Sequence, residues 1–282
     1  MCRLPACALA LTALLWALPG CSDEEDADPA SDRESITPEN VLGTWYSCEP
    51  DPGTGTAVVT FAAFGTDSSA RVGLLNCDQE VTLISTTYHV SDNVLAMATP
   101  EVDTARQNAL QIIMASQLSG VTMDDRAYIE NGNLVFMETF RKVVFTRAVP
   151  SQPGGRITGT LYFAGDFNQG AAQVVCVDTA TYRGQSVFMD APGSYCLKGL
   201  RDGTYMVVAV YIPKECAVDY PDRLYECPSA DYPDFVAVSG ADTVNGIDIT
   251  LNPLVPKSVA GEVGARTREA MLMRIAEAAV RL

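Results

Sequence analysis

The sequence predicts an all-β protein with one internal helix and a helical tail, and three observations carry that reading. Short runs rich in Val, Ile, Thr, Tyr and Phe recur throughout, with Gly, Pro, Asn and Asp between them. Asn131-Gly132 falls between two such runs, and this pair supplies the two positive φ angles that a type I′ hairpin turn requires. The turn-rich stretch Val149-Pro-Ser-Gln-Pro-Gly-Gly155 separates two β-rich halves. The expected layout is a small barrel over 36–148 that includes the helix, a linker over 149–155, a seven-stranded β-sandwich over 156–252, and a tail over 253–282.

Residues 1–20 have the layout of a secretory signal, with Arg3 as the only charge, an apolar Ala6–Leu18 and a small Gly20. That apolar run is shorter than the about 20 helical residues that cross a bilayer, which argues against a retained transmembrane helix. Leu18-Pro-Gly-Cys21 resembles the lipobox of bacterial lipoproteins, although Pro19 replaces the usual small or hydroxyl residue. The resemblance implies cleavage before Cys21, acylation of Cys21 and a lipid-anchored place in the cell envelope. The alternative is an ordinary secretory signal in which Cys21 is an incidental thiol. Ser22 after the cysteine, where Asp would favour inner-membrane retention, points towards the outer membrane. Residues 21–35 carry seven acids and almost nothing apolar, so like charges extend them as a solvated, disordered tether.

The net charge is −16, and loss of Arg3 with the signal makes it −17. A polyanion of this kind repels nucleic acid and anionic headgroups, which excludes both as partners. Beyond the tether, about 245 residues remain, room for two ordinary domains. Of the nine cysteines, Cys2 and Cys7 leave with the signal and Cys21 is committed to lipid. The six others, Cys48, Cys77, Cys176, Cys196, Cys216 and Cys227, form an even set that reads as disulfides outside the cytosol. Pairing within each half gives Cys48–Cys77, Cys176–Cys196 and Cys216–Cys227. No Cys-x-x-Cys or Cys/His cluster offers a zinc site, and His89 is the only histidine, so neither metal nor cofactor is expected.

In the first half, strand-like runs begin at Thr56, Ala70, Glu80, Thr87, Asp92, Arg126, Leu134 and Lys142. Between them, Thr99 and Pro100 open a helical pattern with Val102, Ala105, Ala109, Ile112 and Ile113 on one face, closed by Gly120. About eight strands and one helix suit a meander barrel, which removes its own sheet edges. Val41-Leu-Gly-Thr-Trp-Tyr46 with Val143-Val-Phe-Thr-Arg147 resembles the lipocalin-like (calycin) signature. That resemblance implies a tryptophan plug, Trp45, with an arginine stacked across it: Arg147, or Arg141 as second choice. A cation over an indole face makes the pair structural, not catalytic. Phe61, Leu83, Tyr88, Leu95 and Phe136 are interior candidates, for a packed barrel or for one around a small apolar ligand. His89, between Tyr88 and Val90, reads as an ordinary strand histidine.

In the second half the rhythm is purely β, from Arg156–Phe163 through a half-buried Ala172–Val177 to Gly246–Leu251. Ile157-Thr-Gly-Thr-Leu161, Gly193–Ala209 and Val238–Leu251 resemble the transthyretin-like, carboxypeptidase-regulatory type of domain. That resemblance implies an accessory module that scaffolds, adheres or binds glycans. Pro213–Asp234 interrupts the pattern with Asp219, Tyr220, Asp222, Tyr225 and Tyr232, a candidate binding loop for sugars or a protein. Its carboxylates lack the spacing of a calcium loop, and the bland alternative is a cover over a sheet edge. Residues 266–282 have helical propensity with one apolar stripe.

Gly-x-Ser-x-Gly, His-Glu-x-x-His, P-loop and Gly-x-Gly-x-x-Gly patterns are all missing from the sequence, so no catalytic residue is assigned and the chain is not expected to be an enzyme. The expected function is a lipid-anchored, non-catalytic binding or scaffold module at the cell envelope, meeting an envelope protein or a glycan. A lipocalin-type carrier of a small apolar ligand is the alternative.

Overall fold

A computed structural model describes residues 33–50, 57–118, 123–137, 142–181, 184–220 and 227–252. Cys21, the signal, the tether as far as residue 32 and the expected tail helix lie outside the described residues; the last three residues of the expected disordered tether, Arg33–Ser35, are instead a strand, because their backbone pairs with Tyr128–Glu130. The described chain is mostly strand, in three sheets, with one α-helix.

The first half contains β1 (Arg33–Ser35), β2 (Gly43–Pro50), β3 (Ala57–Phe64), β4 (Ser69–Asn76), β5 (Gln79–Ser91) and β6 (Val94–Met97). After the helix α1 (Ala109–Leu118) come β7 (Met123–Glu130), β8 (Asn133–Met137) and β9 (Lys142–Phe145). Strands β2 to β9 pair in sequence order as an antiparallel meander, and β1 adds to the edge of β7. Three of the connections are two-residue turns with both φ positive: Cys77-Asp78 (50° and 66°), Asp92-Asn93 (50° and 61°) and Asn131-Gly132 (52° and 74°). These primed turns match the right-handed twist of the strands they join. Only the third carries the glycine that made it readable in advance. The long β5 serves two neighbours, β4 along Gln79–Thr87 and β6 along Tyr88–Ser91, and so bends the sheet round.

The expected closed barrel is not formed. The end strands meet at one residue pair, where Tyr46 and Thr146 exchange N–H···O bonds of 2.8 Å. Beyond that pair, no ladder joins β9 to β2 among the described residues.

The second half contains β10 (Gly155–Phe163), β11 (Ala171–Asp178), β12 (Gly184–Met189), β13 (Gly193–Leu200) and β14 (Gly203–Ile212). A 3-10 turn (Lys214–Cys216) follows, then β15 (Ser229–Asp231), β16 (Val236–Val238), β17 (Thr243–Val244) and β18 (Ile249–Leu251). In place of seven strands there are nine shorter ones, in a four-stranded and a five-stranded sheet. In the smaller sheet, β10 lies between β13 and the broken edge strand β17/β18; in the larger, β11 and β14 are central. Side chains of both sheets, among them Ile157, Leu161, Val174, Tyr195, Leu197 and Val207, form one buried cluster. Between β17 and β18 the chain passes close over Gly159, where the missing Cβ leaves room for the Ile247 carbonyl. The Tyr195 hydroxyl, opposite Gly159 on β13, donates to that same carbonyl.

The two halves share a core. Ala109, Leu110, Ile112, Ile113, Met114, Ala115 and Leu118 of α1 are all buried, so this helix is apolar on every side. One side chain cluster joins it to Trp45, Phe64, Tyr88 and Leu134 of the first sheet and to Ala171, Val208, Val210 and Ile212 of the second half. A helix of this kind is stable only between two apolar partners. The expected one-faced helix from Thr99 is therefore corrected. It begins at a capping box in which Asn108 Oδ1 accepts from Gln111 N–H (2.9 Å) and Gln111 Oε1 from Asn108 N–H (3.1 Å). Asp103 instead caps a separate turn by accepting from Ala105 and Arg106 N–H, and Val102 is 42% exposed. For the same reason β11 is buried at all eight positions, not on one face as its sequence implied.

The disulfide pairing also differs from expectation. Among the described residues one bond forms, Cys77–Cys196, with Cα atoms 5.1 Å apart, and it joins the two halves. Cys48 is on β2, and β3 stands between it and the β4–β5 hairpin. Two strand spacings are about 9.6 Å, beyond the reach of a disulfide. Cys176 faces the interior of the sandwich, whereas Cys196 alternates with the inward Tyr195 and Leu197 and so faces out. The Cys176–Cys196 pair is thereby excluded. Cys216 is a buried thiol in the shared core, and the Cys216–Cys227 bridge is not made; Cys227 lies in that core too. A thiol there packs as a small hydrophobe.

Candidate functional site

The end of the first sheet around Trp45 is the most completely built cluster that the sequence pointed to. Trp45 is 2% exposed, and its indole N–H donates to the Val41 carbonyl at 2.7 Å. The guanidinium carbon of Arg147 lies 3.4 Å from the centroid of the Trp45 ring. Arg147 also donates to the Asn40 carbonyl at 3.3 Å, so it spans β2, its preceding loop and the end of β9. Partial burial lowers the Arg147 pKa, without removing its charge. Asn40 is fixed in turn, its Oδ1 accepting from Thr37 N–H at 2.8 Å and its Nδ2 donating to the Ser35 carbonyl at 3.0 Å. Gly43 makes the stack possible. Its φ is +95°, and a Cβ there would lie 2.7 Å from an Arg147 nitrogen. Gly43→Ala should therefore cost about 1–3 kcal/mol, measured as a lower urea midpoint with an unchanged slope. Arg141 lies outside the described residues.

The interior of the first sheet is lined by Leu83, Tyr88, Leu95 and Phe136, in the shared cluster with Trp45. Phe61 is not among them. It alternates with the cluster members Ala62 and Phe64, and so lies on the other face, where a Cβ on Gly73 would touch its ring. Ser47 and Thr60 are cross-strand neighbours on the inner face, two residues along β2 and β3 from Trp45 and Ala62. The Ser47 hydroxyl is buried without a hydrogen-bond partner among the described residues, and no residue pattern announced it. His89 is exposed on β5.

Of the expected binding loop, the described tyrosines, Tyr220 and Tyr232, both pack against the body of the protein. Tyr220 is 8% exposed, and its hydroxyl donates to Gln173 Oε1 at 3.0 Å, while Gln173 Nε2 donates to Ser186 at 3.1 Å. Tyr220 is thus a buried pin on the outer face of the larger sheet. Tyr232 is half-buried against the sandwich core, and Asp219 is exposed. Asp222 and Tyr225 lie outside the described residues.

A second joint was not anticipated. The tip of the β4–β5 hairpin, Asn76-Cys77-Asp78, sits on the free edge of β13. Beside the disulfide, Cys196 N–H donates to Asn76 Oδ1 at 3.0 Å and Asn76 Nδ2 donates to the Ser194 carbonyl at 3.4 Å. Lys198 Nζ pairs with Asp78 at 2.6 Å. The only advance signal was the polar Asn-Cys-Asp interruption between two β-rich runs.

No protein-family model matches the chain, and no curated protein does. Among solved structures, a leucine-rich repeat protein from Bacteroides thetaiotaomicron overlaps 80% of this chain at 8% identity and a TM-score of 0.25. The chain spans 25% of that protein. The C-terminal fragment of pilus adhesin SpaC from Lactobacillus rhamnosus GG overlaps 72% of each chain at 9% identity and a TM-score of 0.20. Similarities this slight assign neither fold nor role.

Chemically, several of the charged and hydroxyl groups near these places hold structure. Hydrogen bonding and charge from Lys142, with Arg33 behind it, keep the Glu130 carboxyl below its usual range, which fastens β1 and β9 to the β7–β8 hairpin. Burial pushes the Cys176 thiol up to about 12, leaving it protonated and unreactive. Burial likewise raises the Tyr195 hydroxyl, which stays a donor. Among the described residues, no three of the His, Cys, Asp and Glu side chains group to hold a metal ion.

Proposed function

We propose that the chain is an extracytoplasmic, lipid-anchored module without catalysis of its own, which binds or positions another envelope component such as a protein or glycan. The Cys77–Cys196 disulfide carries this reading. A bond of this kind persists in oxidising compartments, and here it welds two β-rich halves whose apolar core is already continuous. The result is a stiff body suited to hold a surface in place, at the end of a tether rooted in acylated Cys21. The outer membrane is its proposed site. The Gly43–Trp45–Arg147 arrangement supports a lipocalin-like ancestry for the first sheet, and the Gly159 crossing supports a transthyretin-like one for the sandwich.

Intact-mass measurement of detergent-extracted protein tests the anchor. The expected mass is that of the chain without residues 1–20 plus the acyl groups on Cys21, and Cys21→Ser should move the protein to the soluble fraction. A full-length chain with a bare Cys21 thiol would end this reading.

The buried Ser47 hydroxyl favours one second reading, a carrier whose small, mostly apolar ligand gives that hydroxyl a partner inside the first sheet. Native mass spectra of protein extracted with its lipids separate the two: a released adduct supports the carrier, and a bare protein mass the module.

A further inference from the structure

We propose that the β4–β5 hairpin tip is a redox-operated latch on the edge of β13: closed while Cys77–Cys196 is oxidised, released when it is reduced, with both halves staying folded. The geometry has three parts. First, β13 is an edge strand, paired only with β10, so one row of its backbone groups faces away from the sheet. The Asn76 carboxamide occupies that row. It accepts from Cys196 N–H and donates to the Ser194 carbonyl, the two groups either side of Tyr195. A neighbouring parallel strand would bond to the same two groups, so this one side chain stands in for a rung of ladder.

Second, the tip reaches this position in a backbone form that Cys77 does not favour: Cys77 and Asp78 are consecutive left-handed residues, and of the two only Asp adopts that region readily. The covalent bond and the Lys198–Asp78 pair hold it there. Third, the bond can be reached. Cys77 and Cys196 are each partly exposed, and Cys196 is on the outer face of its sheet, whereas Cys176 and Cys216 are buried. The shared core around α1 does not pass through this joint, so opening it leaves α1 between its two partners.

The step needs an external dithiol. One of its thiolates attacks a sulfur of the bridge, breaking the S–S bond and forming a mixed disulfide. Its second thiolate displaces the cysteine, leaving Cys77 and Cys196 as thiols and the reductant as a disulfide. Two electrons and two protons pass to the protein. This proposal concerns the joint alone and does not depend on acylation of Cys21, so either can fail without the other.

Hydrogen exchange followed by mass spectrometry on the full chain, with and without dithiothreitol, tests it. Reduction is expected to speed exchange at least tenfold in peptides covering residues 76–79 and 194–198, with α1 and β14 unchanged. The Cys77→Ser, Cys196→Ser double variant, without reductant, should show the reduced pattern. Unchanged exchange after verified reduction would overturn the latch. So would loss of protection spreading into α1 and β14, which would make the bond a staple for the whole fold.

Discussion

Trp45→Ala is expected to destabilise the protein by about 3–5 kcal/mol, the range for removing a large aromatic from a packed interior. The indole is 2% exposed, donates its N–H to Val41, and is the surface on which Arg147 rests. Its loss opens a cavity and takes away the cation's partner together, at the place where β2 and β9 meet through a single residue pair. Trp45→Phe keeps much of the volume and a weaker ring face, so it should cost less than half as much. Urea unfolding followed by far-ultraviolet circular dichroism measures both. Equal midpoints for wild type and Trp45→Ala would show that the stack contributes nothing.

Ile113→Asp is the second large effect, and it distinguishes a shared core from two separate ones. Ile113 is fully buried in α1, and the cluster around it includes side chains of both halves. An unpaired carboxylate there costs several kcal/mol, about 3–5 by comparison with broken buried ion pairs. The loss should appear as one earlier transition in which probes of both halves move together. If the strands of the second half instead melt at their original midpoint, the halves are energetically independent and the role assigned to α1 is wrong.

Local chemistry was legible in the sequence, and the joining of the halves was not. Asn131-Gly132 announced its hairpin because two left-handed residues in a row suit few residue types. Cys77-Asp78 adopts the same turn without a glycine, and tertiary bonds hold it there. The start of the helix was misplaced because Thr99-Pro100 and Asn108-x-x-Gln111 are both plausible caps, and which one operates depends on where the second half lies. Ala109 N–H donates to the Gln169 carbonyl at 2.9 Å, a partner 60 residues away that no window of sequence contains. The apolar residues all round α1 did carry the message that it had partners on two sides, whereas Gln173 in the middle of β11 read as a solvent-facing position. Cysteine pairing failed for a related reason. Parity gave an even set, but the choice of partners depends on which strand faces which, and Cys77 reaches across 119 residues.

The bridge between Cys77 and Cys196 encloses the partly exposed connection at 149–154 within its loop. A protease that cuts that connection, for instance beside the half-exposed Val149, therefore cannot set the pieces adrift. The nicked molecule should run as one species on a non-reducing gel and as two after reduction, and it should keep its shape in the meantime. A protein built this way tolerates damage at its thinnest point.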